Sequence, residues 1–257
     1  VTSIGLFFAG SVLFINGLSL LGRCDAASAA PINAFVGTLL LAIVASTALH
    51  VKNPAAPENQ QAILGAVGFL LFAFTYLWVA INNWTGASGT GLGWYCLWAA
   101  SASVFLAVVN FTSYHDPRFG MLWVLWAVLF TLFFLVLGLE VKELERVTGW
   151  ATTIEAFVTT AIPGALLLLG DWRAVSGVVA VAAGLITIVL VALLGATSLA
   201  RSHGHPSPPC SASPTCTGPS ACSRSQPECC CWTSPCRAAR SQTSRGSSRS
   251  AARYAPG

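Results

Sequence analysis

Seven apolar stretches, each close to twenty residues long and separated by short polar, glycine-rich or proline-rich breaks, run through the first 200 residues of this chain. A helix rises about 1.5 Å per residue, so roughly 20 apolar residues cross the ~30 Å hydrocarbon core of a bilayer. Inside hydrocarbon the backbone has to satisfy its own polar groups, which leaves helices as the way to use such stretches. The pattern predicts an all-α polytopic membrane protein. The charged fraction agrees: 9% of the chain, against about 25% in soluble domains.

The windows read as 2–21, 31–51, 62–82, 94–111, 119–140, 150–170 and 174–200. Pro31 suits a first helical turn, where its missing N–H would have no partner anyway. The breaks are 22–30, KNPAAPENQQ (52–61), WTGASGTGLG (84–93), SYHDPRFG (113–120), VKELERVTG (141–149) and the tight Asp171-Trp172-Arg173. No cleavable signal peptide is expected, because the first apolar run continues for a full span without a basic segment before it.

Charge divides the chain in two. Residues before Arg201 hold six Lys/Arg and eight Asp/Glu, a balance of −2; from Arg201 onward there are seven Arg and Glu228 alone, a balance of +6. The Lys/Arg of the body split evenly between the two sides of a seven-span chain. The tail's arginines break the tie, which predicts an outside N-terminus and a cytoplasmic tail. Residues 201–257 are poor in Leu, Ile, Val and Phe, so they read as a disordered basic tail that could touch anionic lipid. Seven of the nine cysteines lie there, and Cys229-Cys230-Cys231 lacks the paired spacing of a zinc site.

The most unusual window is Phe69–Asn83, FLLFAFTYLWVAINN. At 3.6 residues per turn Phe69, Phe72, Tyr76 and Asn83 fall along one stripe, with Thr75 beside it, while Phe74 and Trp78 lie on another face. Two readings stand: a lipid-facing span with packed aromatics, or a pore wall of flat rings with a few hydrogen-bonding tips. Trp123, Trp126 and Phe130 form a second aromatic stripe in the fifth window. Intramembrane polar groups are where chemistry would reside, and here they are Asn16, Asn33, Asn110 and the set Thr152, Thr153, Glu155, Thr159 and Thr160. Glu155 reads either as a carboxylate holding the bundle together or as an acceptor in a vestibule, and Pro163 leaves the Thr159 carbonyl free. The body has no Ser-His-Asp or Cys-His arrangement, no phosphate loop, no metal-ligand set and no lysine in the seventh window. Enzyme chemistry, a bound cofactor, a metal and a nucleic-acid partner are therefore not expected.

Several segments resemble the bacterial family of acid-gated urea channels and short-chain amide transporters. They are GSVLFINGLSLLG (Gly10–Gly22), PINAFVG from Pro31, LLFAFTYLWVAIN (70–82), GLGWYCLW (Gly91–Trp98), WVLWAVLF (123–130), Trp150, Glu155 and Ile162-Pro163-Gly164. GLGWYCLW is similar to the amide-transporter branch in particular. The resemblance implies a six-helix protomer of three helical hairpins over residues 1–170, each with its own pore, in a ring-shaped homohexamer of the bacterial inner membrane. Residues 171–200 then form an additional seventh transmembrane helix outside that unit, and 201–257 the tail. It implies passage of urea or short aliphatic amides past Leu13, Asn16, Phe72, Tyr76, Trp123, Trp126, Leu129 and Phe130, with Glu155 near one mouth. Passive passage is the expectation; a proton-coupled transporter using Glu155 is the alternative, and a scaffold or sensor a third. Two departures matter. Phe130 stands where the family often has tryptophan, and 52–61 carries no histidine, so strong acid gating is not expected.

Overall fold

The structure is a computed structural model that describes residues 2–53 and 56–204; the region of the expected basic tail, from residue 205 on, lies outside the described residues. Every regular element among the described residues is helical, and seven helical runs are long and apolar enough to cross a membrane. The chain runs α1 (Thr2–Leu20), α2 (Ala26–His50), α3 (Pro57–Thr85), α4 (Thr90–Thr112), α5 (Pro117–Phe133), α6 (Glu145–Glu155), α7 (Ile162–Leu169) and α8 (Gly177–Gly204). Single π-helical turns extend α5 over Phe134–Gly138 and join α6 to α7 over Ala156–Ala161, so those two make one span.

Local chemistry sets the ends. Gly22 takes a left-handed conformation (φ 69°) after α1, and Arg23 N–H reaches back to the Leu18 carbonyl, the glycine-terminated ending that satisfies last-turn carbonyls. Asp25 caps α2, accepting from Ser28 N–H at 2.8 Å. Pro57 and Pro117 occupy first-turn positions of α3 and α5. Asp116 accepts from Arg118 N–H and Phe119 N–H.

Several helices begin earlier than hydropathy alone suggests. α2 starts five residues before Pro31, which sits inside the helix and not in its first turn; the Asp25 cap fixes the start. α3 takes in the end of the 52–61 break. The charge cluster at 141–149 is no loop: a short 3-10 turn at Lys142–Leu144 leads into α6. There Leu144, Val147 and Thr148 are buried while Glu143, Glu145 and Arg146 face out, an amphipathic start that a window of average hydropathy reads as polar.

Three pairings build the bundle: α2 along α3, α4 along α5, and α1 against α6 and α7. The last pairing joins the two ends of the six-span unit and depends on small residues. A Cβ on Gly10 would lie 2.8 Å from the Ala156 carbonyl, and one on Gly164 2.6 Å from the Phe7 nitrogen. Close backbone approach of this kind is how helices associate where lipid supplies no hydrophobic drive. α5 is the central element, 61% buried over its span, whereas α8 is 11% buried and rests on the outer side of α5, with Gly184 against Met121.

Candidate functional site

Two cavities run along the bundle, one toward each end. The larger, about 620 Å³, lies among the start of α1, the end of α2, the start of α3, the end of α4 and the start of α5, with Ser3, Thr47, Gln61, Asn110, Tyr114 and Thr160 among its polar groups. The second, about 390 Å³, lies among the opposite ends of the same helices, with Asn16, Ser19, Thr75, Tyr76, Asn82 and Asn83. The side chains common to both linings are Phe72 and Trp126.

Those two rings are part of a five-ring cluster. Phe72 is its hub, with ring centroids 5.0 Å from Trp126, 5.4 Å from Phe130, 6.0 Å from Tyr76 and 6.3 Å from Trp123. Trp123 and Trp126 meet edge to face at 4.7 Å, a favoured geometry for aromatic pairs. All five rings are buried. Phe74 and Trp78 face outward, 48% and 38% exposed, which separates the two faces of α3 as helical periodicity requires.

The polar groups behave in three ways. Tyr76 lines the smaller cavity and its hydroxyl is buried without a hydrogen-bond partner. Such an orphan costs free energy unless something in the cavity pairs with it. Asn16 and Asn33 form a reciprocal amide pair, Asn16 Nδ2 donating to Asn33 Oδ1 at 3.0 Å and Asn33 Nδ2 to Asn16 Oδ1 at 2.7 Å. Asn33 Nδ2 also donates to the Ala29 carbonyl at 2.8 Å, so the pairing fixes which atom is nitrogen in both amides. Asn33 is fully buried and spends both N–H groups, whereas Asn16 lines the smaller cavity with one N–H left over. Trp126 Nε1 donates to Thr159 Oγ1 at 3.0 Å, and Thr159 Oγ1 to the Glu155 carbonyl at 2.7 Å. The indole N–H is spent on the protein.

The structure therefore brings Leu13, Asn16, Phe72, Tyr76, Trp126, Leu129 and Phe130 to the smaller cavity, and Phe72, Trp123 and Trp126 to the larger. Glu155 stands apart. It is 1% exposed, contributes to neither lining, and its Oε2 has no hydrogen-bond partner. It also sits about 15 Å from the start of α6, midway along the span Lys142–Leu169, and not near a mouth. The difference follows from α6 beginning at Glu145 instead of Trp150. Pro163 follows the end of the π turn, whose wider bonding carries the Ile162 N–H back to the Phe157 carbonyl.

Sequence reading passed over Gly68 and Cys96, which lie on the two linings. Gly68 carried a signal, since it stands four residues before Phe72 on the same helix face. A Cβ there would come within 2.4 Å of the Trp123 ring. Cys96 carried none.

The family described as AmiS/UreI family transporter matches residues 1–171. A Rhodococcus erythropolis protein named as transporter AmiS2 is 42% identical over 188 residues, 73% of this chain and 89% of that protein. A Mycolicibacterium smegmatis protein named for transport of amidate substrates is 40% identical over 207 residues, 80% of this chain and 95% of that protein. The urea channel of Helicobacter pylori, solved by cryo-electron microscopy in its closed state, superposes with a TM-score of 0.58 at 29% identity, covering 67% of this chain and all of that one. The family match covers the first six spans, while the mycobacterial alignment is longer than those 171 residues and continues through α8. The chain is therefore a multi-pass membrane protein that belongs to the AmiS/UreI family of transporters, whose members are channels and transporters and not enzymes.

Proposed function

We propose that the protein is a channel for passive passage of urea and small neutral amides such as acetamide, through one pore in each protomer. The observation that carries the reading is the pair of cavities sharing the Phe72 and Trp126 rings. A solute moving along the bundle leaves one largely apolar cavity with a few polar groups, crosses an aromatic partition and enters the other. Leu13, Asn16, Phe72, Tyr76, Trp123, Trp126, Leu129 and Phe130 are its pore residues.

The chemistry suits a small amide. Such a solute is flat, neutral and able to donate and accept, and removing its water without compensation costs about 2–7 kcal/mol. The Tyr76 hydroxyl, which has no protein partner, and the remaining Asn16 N–H offset part of that cost on the smaller-cavity side. The rings contact the solute's flat faces. An ion faces a far larger desolvation penalty, of order tens of kcal/mol in a dry apolar partition, and is excluded. Proton coupling through Glu155 is the weaker reading, because both cavities bypass it. The protein works in the bacterial cytoplasmic membrane as a homohexamer, with the start of α1 outside.

Stopped-flow light scattering on proteoliposomes tests this. Acetamide and urea permeabilities are expected above those of empty liposomes and unaffected by a protonophore. Permeability equal to that of empty liposomes would refute the channel. Amide accumulation against its gradient, lost in Glu155→Gln, would favour the coupled transporter.

A further inference from the structure

Where α1 ends and α6 begins, a third hollow of about 850 Å³ opens on the bundle surface, apart from the two pore cavities. Its floor is Leu18, Leu20 and Leu21, and its rim carries Arg23, Lys142, Arg146 and Trp150 with the single acid Glu145. Arg146 and Trp150 stand one turn apart on one face of α6, Lys142 lies on the 3-10 turn just before it, and Arg23 meets them from the turn after α1. In sequence this end of the protein is no cation cluster: Asp25, Glu140, Glu143 and Glu145 outnumber Arg23, Lys142 and Arg146. Folding sorts the charges. Glu140, Glu143 and Asp25 stay off the lining, and Asp25 is engaged with Ser28. Among the described residues the one ion pair is Arg118 with Asp116, so no carboxylate pairs directly with the three rim cations, and with Glu145 counted the rim keeps an excess of positive charge.

The hollow also lies at a fixed depth. Its residues are the last turn of one span and the first turns of another, which puts the cations at the level of lipid headgroups and the leucines just below, toward the acyl chains. Trp150, half exposed, belongs to the same interfacial layer. Two guanidinium groups and an ammonium above an apolar floor match an anionic oxygen cluster joined to hydrocarbon.

We propose that this hollow binds the phosphodiester headgroup of an anionic phospholipid. Arg23 and Arg146 hold the phosphate oxygens, Lys142 adds charge, and the leucines receive the upper acyl chains. Leu20 lines both this hollow and the smaller pore cavity, so the bound lipid is a neighbour of the pore mouth.

The test is native mass spectrometry of the full-length protein equilibrated with phosphatidylglycerol and phosphatidylcholine in equal amounts. The wild type is expected to retain phosphatidylglycerol preferentially. The triple variant Arg23→Gln/Lys142→Gln/Arg146→Gln should lose about fivefold of that preference per cation, and Lys52→Gln, at the other end of the bundle, should lose none. The arginine-rich segment after residue 200 is the same in all three proteins, so its attraction for anionic lipid cancels. Equal retention of both lipids by the wild type, or an unchanged preference in the triple variant, overturns the site. If the triple variant is not recovered, Lys142→Gln alone, on an exposed side chain, should lose its single share, and no loss overturns the site equally. Inorganic phosphate raising the thermal midpoint as much as phosphatidylglycerol would mean a small-anion site and overturn the lipid assignment.

Discussion

The reciprocal amide pair of Asn16 and Asn33 offers the sharpest test of how this bundle positions a solute. Replacing Asn33 by leucine removes the two hydrogen bonds to Asn16, at 3.0 and 2.7 Å, and the one to the Ala29 carbonyl at 2.8 Å. The last is lost in every variant lacking Asn33, so it cancels in a double-mutant cycle with Asn16→Leu. What remains is the pair itself. Interhelical hydrogen bonds in membrane proteins average about 0.6 kcal/mol each, which gives a coupling of about 1.2 kcal/mol for two. Both bonds link different helices, α1 and α2. Reversible unfolding in mixed micelles would measure the four proteins of the cycle. A coupling below about 0.3 kcal/mol, within the range expected for independent sites, refutes the pair as a stabilising unit. Transport supplies a second readout. Asn33 lines neither cavity, so its effect on solute passes through the orientation of Asn16. Acetamide flux should fall in Asn33→Leu and in Asn16→Leu alike, with no further fall in the double variant. A flux loss confined to Asn16→Leu would mean that Asn33 holds the helices together without aiming the amide.

Four further outcomes follow from particular contacts. Trp126→Phe should cost about 1 kcal/mol by removing the bond to Thr159, yet keep acetamide flux within about twofold, because the indole N–H is directed at Thr159 and not at solute; a collapse of stopped-flow permeability would refute that. Phe72→Ala removes the hub of the ring cluster and joins the two cavities, so it should lower stability by about 3 kcal/mol and raise glycerol permeability relative to acetamide. Gly68→Ala puts a methyl 2.4 Å from the Trp123 ring, an overpacking expected to cost about 1–3 kcal/mol; the ring is pushed into the larger cavity, and both thermal midpoint and flux should drop. The Asp25 carboxyl is held below the usual carboxylate range by the Ser28 hydroxyl first and the Ser28 N–H second. Its stabilising effect is therefore complete above the unfolded value near 3.9 and lost as pH falls through the lowered folded value. Asp25→Ala should lower the thermal midpoint by a constant amount between about pH 5 and 8, and by less near pH 3.

The outer face of the bundle separates two kinds of aromatic residue that composition cannot tell apart. Trp94, Trp98 and Phe105 are more than half exposed on the outer side of α4, whereas Phe72, Tyr76, Trp123, Trp126 and Phe130 gather inside. In a bilayer neither location is favoured by simple hydrophobicity, because lipid and protein interior are equally apolar. Shape and hydrogen bonding decide. Gly68 makes room for Trp123, and Thr159, carried on a π turn, gives Trp126 its partner.

That distinction marks how far the sequence reaches. The spans were legible because the thickness of a bilayer imposes a length on every apolar run. The face shared by Phe72, Tyr76 and Asn83 was legible because a helix has a fixed period. Resemblance along the first six spans added the architecture of paired helices. Neither length nor period says which helices meet, and it took the packed bundle to pair α1 with α6 and α7 through Gly10 and Gly164. The same packing joined Asn16 to Asn33 and turned the Trp126 N–H onto Thr159. It left Glu155, the acid that draws most attention in the sequence, midway along its span and outside both cavities. It also gathered Arg23, Lys142 and Arg146 around one hollow while three acids of the same loops stayed away. Periodicity is a property of one helix taken alone; the partner of a polar group belongs to two, and their register is fixed only where the backbones touch.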